Sequence, residues 1–83
     1  MAVVVFELFA NMRRIAGTDE CRVDVDDAVR SVADALASLA AARPDLAGLL
    51  DRCACVSGDT VIRRADALPV DGRIALLPPV AGG

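Results

Sequence analysis

The sequence predicts an α+β domain in which one mixed sheet packs on one main helix, with elements in the order β-β-α-β-β-β. Three observations carry that expectation. AVVVFELFA is rich in β-branched residues and CRVDVD alternates strictly, so both read as strands. SVADALASLAAARPDL has apolar residues at helical spacing. Two further apolar runs and a final RIALL are then separated by turn residues.

Within the first strand Glu7 sets the phase. With Glu7 outward, Val4, Phe6 and Leu8 point to the core, and Phe9 shares the outward phase. NMRRIAG is a connector with room for one helical turn, closed by Gly17. In the second strand Cys21, Val23 and Val25 lie on one face, with Arg22, Asp24 and Asp26 on the wet one. Ser31 is the expected N-cap of the helix, with Asp34 three residues on in a weaker version of the capping box. Val32, Leu36, Leu39 and Ala40 share a face, and Pro44 ends the helix near Ala42 or Arg43. PDLAGLL adds a short second helical turn. CACV and TVI flank Ser57-Gly58-Asp59 as a hairpin, and Asp71-Gly72 is the next turn. RIALL closes the order with Ile74 and Leu76 inward and Leu77 outward. The chain reads as a single domain, 1–83, with 78–83 as an extended tail.

Composition narrows the function classes. The chain is 55% hydrophobic but only 2% aromatic, so its core must be aliphatic. A net charge of −3 gives no phosphate-neutralising surface, which argues against nucleic acid; Arg13-Arg14 and Arg63-Arg64 read as solvated pairs. No apolar run approaches the roughly 20 residues of a membrane span, and MAVVVFELFA lacks a basic leader. Three cysteines, an odd number, do not make a secreted disulfide framework. The expectation is a soluble, cytoplasmic domain. All basic residues are arginine; with no lysine, the N-terminus is the one amine available for self-conjugation.

Conventional catalytic sets are missing. The chain has no histidine, hence neither the commonest general base nor the commonest metal ligand. Cys53 and Cys55 alternate with apolar neighbours and read as small core residues, so no metal site is expected. The glycines sit in turns or at the end, outside any strand-to-helix phosphate loop.

Attention falls on the ending LPPVAGG. Pro78 and Pro79 lack an N–H and fix φ near −65°, so they stop the strand and launch an extended segment. Pro78, Pro79, Val80, Ala81 and Gly82 then form a stalk that, counted through Gly83, spans about 20 Å at roughly 3.3 Å per residue. Gly82-Gly83 would offer a carboxylate on a backbone without Cβ atoms, able to enter a narrow channel. Ionised at neutral pH, such a carboxylate is a poor electrophile until a partner activates it, most simply as an acyl-adenylate made from ATP.

LFANMRRIAGTD after the first strand, SVADAL opening the helix and DGRIALLPPVAGG at the end resemble the ubiquitin-like sulfur carriers of the β-grasp fold. The likeness spans essentially the whole chain and is strongest to the small-subunit branch of molybdopterin synthase. It implies a non-catalytic carrier with no bound cofactor. An adenylating enzyme of the ubiquitin-activating type would use ATP to activate Gly83, and a sulfurtransferase would supply the sulfur of a thiocarboxylate. The large subunit of the synthase, in a heterotetramer, would hold the active site. It would receive sulfur from two carriers for cyclic pyranopterin monophosphate, in molybdenum cofactor biosynthesis. The resemblance also implies an apolar docking patch at Phe9, Val61 and Leu77, for which Val61 reads equally well as a buried hairpin residue. Arg13 and Arg14 match a basic position of the family loop. Alternatives that share the first step are a carrier for thiamin thiazole or cysteine synthesis and a ubiquitin-like protein modifier. A plain interaction domain with an inert tail is the alternative of a different class.

Overall fold

The computed structural model describes residues 2–79. It holds five strands and three helices: β1 (Ala2–Leu8), α1 (Ala10–Ala16), β2 (Glu20–Val25), α2 (Val32–Ala42), α3 (Pro44–Leu50), β3 (Ala54–Ser57), β4 (Thr60–Ile62) and β5 (Arg73–Leu77). The strand order is β2-β1-β5-β3-β4. β1 and β5 run parallel in the middle of the sheet, and every other pairing is antiparallel.

The alternation read from the sequence decides which face is covered. Val4, Phe6 and Leu8 of β1, Cys21, Val23 and Val25 of β2, and Ile74 and Leu76 of β5 are all buried. They meet Val32, Ala35, Leu36 and Leu39 of α2 and Leu46 and Leu50 of α3 in one cluster. No polar or charged residue is buried among the described residues. Burying a large aliphatic side chain is worth about 1.5–3 kcal/mol, so this small fold stands on its side-chain alternation.

The start of α2 is satisfied by the chain itself. Val32 and Ala33 donate their backbone N–H groups to the carbonyls of Asp66 and Arg64, at 2.9 Å each, and Asp34 N–H reaches the Ser31 hydroxyl at 3.2 Å. The Asp34 carboxylate accepts in return from the N–H groups of Arg30 and Ser31, completing the capping box. These bonds, that from Arg30 foremost, hold the Asp34 carboxyl below the usual carboxylate range. The Val32 and Ala33 bonds fasten the long connection before β5 onto the helix, where Ser31 and Ala67 form an isolated bridge.

Two connectors are more ordered than expected. NMRRIAG belongs to a seven-residue helix that buries Met12 and ends on Gly17, whose φ of 75° lets its N–H close on Arg13. α3 takes Pro44 in its first turn, where a missing N–H is harmless. Between α2 and α3, Arg43 pairs with Asp45 at 2.7 Å and donates to the Ala16 carbonyl at 3.1 Å, tying the end of α1 to the helical layer. The reading of Arg63-Arg64 as a solvated pair is corrected for Arg64. Its guanidinium donates to the carbonyls of Leu50, at the end of α3 where helix carbonyls run out of intrahelical partners, and of Cys53 just beyond it.

Candidate functional site

The helices cover one face of the sheet and leave the other open. On that outer face the register aligns Glu7, Ala75, Val56 and Val61 as one row across β1, β5, β3 and β4. In the next row Leu77 lies opposite Ala54. Phe9 continues beyond the last residue of β1 with extended angles (φ −130°, ψ 159°), on the side of Leu77. With strands about 4.8 Å apart, these residues form one continuous surface. Phe9 is 41% exposed, Leu77 40% and Val61 70%. The structure thus puts Phe9, Val61 and Leu77 on the same face, and Val61 is not a buried hairpin residue. Its neighbour Ile62 faces the core instead.

Phe9 is held at this edge by an unusual turn. Ala10 follows it with φ 53°, a left-handed conformation rare outside glycine, and α1 begins there. The chain therefore leaves β1 sharply and keeps the phenyl ring at the rim.

A charged flank borders the apolar patch on the β2 side. Arg73 donates to Glu7 at 2.8 Å and to Glu20 at 2.9 Å, so one guanidinium spans three strands. Glu7 and Glu20 stand directly opposite each other, and without Arg73 they would repel. Beside them Leu8, Phe9, Arg13 and Asp19 complete a shallow hollow of about 240 Å³. The isolated Glu7 in an apolar strand was the one sequence signal for this cluster. Arg14 is exposed beyond it.

The tail starts at the end of this face. β5 pairs with β3 through Leu77, and Pro78 and Pro79 then have no N–H with which to continue the ladder. Pro78 is half-buried and Pro79 exposed. Val80, Ala81, Gly82 and Gly83 lie outside the described residues.

The cysteines serve the core. Cys21, Cys53 and Cys55 are all buried and unpaired by disulfides. The Cys53 sulfur is 3.1 Å from the Met12 sulfur and 3.2 Å from the Leu49 carbonyl oxygen. Burial pushes the thiols of Cys53 and Cys55 up from the ordinary value, against the opposing pull of the Arg64 charge. Among the described residues no three potential ligand side chains converge on a metal position, and no helix is long and apolar enough to cross a membrane.

Comparison with known proteins places this architecture. The chain is 33% identical to small archaeal modifier protein 1 of Haloferax volcanii, over 94% of its own length and 98% of that protein's. The crystal structure of that Haloferax protein superposes with a TM-score of 0.82 at 30% identity, covering 99% of this chain and 100% of the other. The Methanosarcina acetivorans small archaeal modifier protein 1 gives 0.70 at 27% identity, covering 100% and 98%. A chain from the complex of subunits 1 and 2 of the Helicobacter pylori molybdopterin-converting factor gives 0.65 at 22% identity, covering 99% and 100%, a likeness of fold. The ThiS family profile matches residues 6–83. The fold is the β-grasp, and the chain belongs to the ThiS family of ubiquitin-like small modifiers and sulfur carriers.

Proposed function

We propose that this chain is a sulfur carrier whose Gly83 carboxyl group is the working group, and that it acts as the small subunit of molybdopterin synthase. In this reading an adenylating enzyme of the ubiquitin-activating type brings ATP. The carboxylate oxygen attacks the α-phosphorus, pyrophosphate leaves, and hydrosulfide supplied by a sulfurtransferase system then adds to the acyl carbon and displaces AMP. The resulting thiocarboxylate enters the large subunit, where its sulfur attacks a carbon of cyclic pyranopterin monophosphate and displaces the oxygen substituent there. Water finally cleaves the acyl–sulfur bond and returns the carboxylate. The carrier contributes reach, docking and a soft nucleophile, and the large subunit holds the active site. The need for ATP suits a cytoplasmic protein.

The observation that carries this reading is the open apolar face ending at the prolyl launch point. Phe9, Leu77 and Val61 stay exposed on one face, and the tail departs beside Leu77. A partner that grips this face holds the start of the stalk in a fixed position, which is what a short reactive arm needs. The Helicobacter likeness supports a two-subunit arrangement.

A second reading is favoured by the Haloferax relative, which bears the name of a modifier. There the activated Gly83 acyl group passes to a lysine amine of another protein as an isopeptide bond. The two readings share the adenylation step and diverge after it.

One experiment tests the shared step and another the branch. Lengthening the chain by one residue beyond Gly83, or deleting Gly83, moves the carboxylate by about 3.5 Å, and a misplacement of 1 Å is worth on the order of 100-fold in rate. Both variants should melt like the parent yet fail in ATP–pyrophosphate exchange with the cognate activating enzyme. Normal exchange by either would remove the chemical basis of the proposal. Intact-mass analysis of the native protein then separates the branches. Exchange of sulfur for oxygen on a free Gly83 carboxyl group indicates the carrier, and the chain joined to other proteins indicates the modifier.

A further inference from the structure

We infer that the body of this protein is built to be inert toward its own activated tail, so that the acyl group passes only to acceptors on other molecules. The inference rests on the proposed activation of Gly83 and concerns what that group can react with. An acyl-adenylate or acyl-thioester is attacked by amines and thiolates, and a carrier at working concentration meets other copies of itself first.

The amines are missing from the start. None of the 83 residues is lysine, and all nine basic side chains are arginines. A guanidinium stays protonated at neutral pH and has no free lone pair to attack with. The chain also lacks histidine, so no imidazole can accept the acyl group or activate a hydroxyl. Where charge is needed for structure, arginine supplies it: Arg43, Arg64 and Arg73 each make the multiple contacts that a lysine amine could also have attempted.

The thiols are present but enclosed. Cys21, Cys53 and Cys55 are 8%, 3% and 2% exposed. Cys53 and Cys55 lie beneath the sheet, on the face opposite Val61 and Leu77, and burial holds both in the unreactive protonated form. Leu77, the last strand residue before the tail, faces the opposite side of the sheet from Cys55 and Ile74.

The head of the chain is remote as well. β1 and β5 run parallel, with Leu8 beside Leu76, so Ala2 lies at the far end of the sheet from the launch point. The length of β1 from Ala2 to Leu8 is about 20 Å at roughly 3.3 Å per residue. The stalk's full reach is of the same size, so closing on its own α-amine would need it stretched flat along the sheet. Among the groups of these 83 residues, the α-amine of a second molecule is then the amine left to react, giving head-to-tail joining as the self-product of that kind.

The test makes the electrophile synthetically, without any activating enzyme. The full chain is prepared with Gly83 as the thioester of 2-sulfanylethanesulfonate and incubated at pH 8 with and without added free cysteine. Free cysteine should consume the thioester, giving a positive control for the electrophile. Alone, the parent should give only slow hydrolysis, with no adduct on any of its side chains by intact mass and peptide mapping. Val61→Cys, which puts a thiol on the exposed face, should form a thioester-linked dimer. In that exchange the introduced sulfur bonds to the Gly83 carbonyl carbon, the original thiolate leaves, and the proton passes between the two thiols. The variant's rate should exceed any transfer to the native cysteines by more than about tenfold, because exchange needs an accessible thiolate. Transfer to Cys21, Cys53 or Cys55 in the folded parent at the rate of the variant would overturn the inference. So would an adduct on any other side chain. Loss of adenylation in the enzymatic assay would instead strike the proposed activation and leave this result standing, so the two failures are distinguishable.

Discussion

Replacing Leu77 tests the docking face most directly, because the structure fixes how much a partner could gain from it. Full burial of a leucine is worth about 1.5–3 kcal/mol, and the free chain leaves 40% of Leu77 uncovered. A partner can therefore recover at most about 0.6–1.2 kcal/mol there, so Leu77→Ala should weaken binding roughly three- to sevenfold. Leu77→Glu adds a charge that the contact must strip of water, at about 2 kcal/mol or more, and the loss should approach 100-fold. The part of Leu77 that already packs against the sheet is lost in both variants. About 1 kcal/mol of stability corresponds to a fall of roughly 4–8 °C in Tm for a domain of this size. Calorimetric titration with the proposed large-subunit partner, beside thermal melting of the free chain, separates the effects. An unchanged Kd for Leu77→Glu would refute the use of this face. A Tm that collapses by several times the expected fall would show that Leu77 belongs to the core.

The other predictions concern the stalk and the charges. Replacing Pro78 and Pro79 together by glycine should leave the Tm nearly unchanged and slow sulfur transfer from a preformed thiocarboxylate, since a freed stalk loses more entropy on insertion; an unchanged turnover would restrict the prolines to ending β5. Arg73→Met should leave Glu7 and Glu20 facing each other unneutralised, lowering the Tm by an amount that shrinks as salt is raised; a loss independent of salt would point to packing. The carboxyls of Asp34 and Asp45 are held below their ordinary value, Asp34 by the Arg30 N–H foremost and Asp45 by its hydrogen bond from Arg43. A depressed folded value stabilises above the unfolded one and is lost as pH falls through it. The Tm should therefore drop as the pH is taken below about 4, and less steeply in Asp34→Asn and Asp45→Asn. Parallel Tm profiles for parent and variants would remove these two groups as the source.

Local pattern carried the strands and the main helix. Glu7 in a run of apolar residues fixed the phase of β1, and that phase alone put Phe9 outside. Leu77 followed in the same way from Ile74 and Leu76. α1 was underestimated because its seven residues bury only Met12, too little for periodicity to register. Sheet order was illegible, since nothing near Arg73 says that β5 slides between β1 and β3. The arginines were illegible for the same reason. Arg73 finds Glu7 from 66 residues away, and Arg64 meets the end of α3 across a hairpin. Val61 had no settled face until its pairing with Val56 placed it.

The position of β5 has a consequence for how this protein can fail. The strand nearest the tail is also the middle of the sheet, flanked by β1 and β3. A chain cut anywhere before Arg73 loses Ile74 and Leu76 from the core and leaves two bare strand edges facing each other, a state open to aggregation and proteolysis. Contacts between residues this distant in sequence form late in folding, so the strand that precedes the tail and the completed body arrive together. Quality control is in this way written into the topology: a broken copy exposes sticky edges for clearance and lacks the Gly83 carboxyl group on which the proposed activation depends.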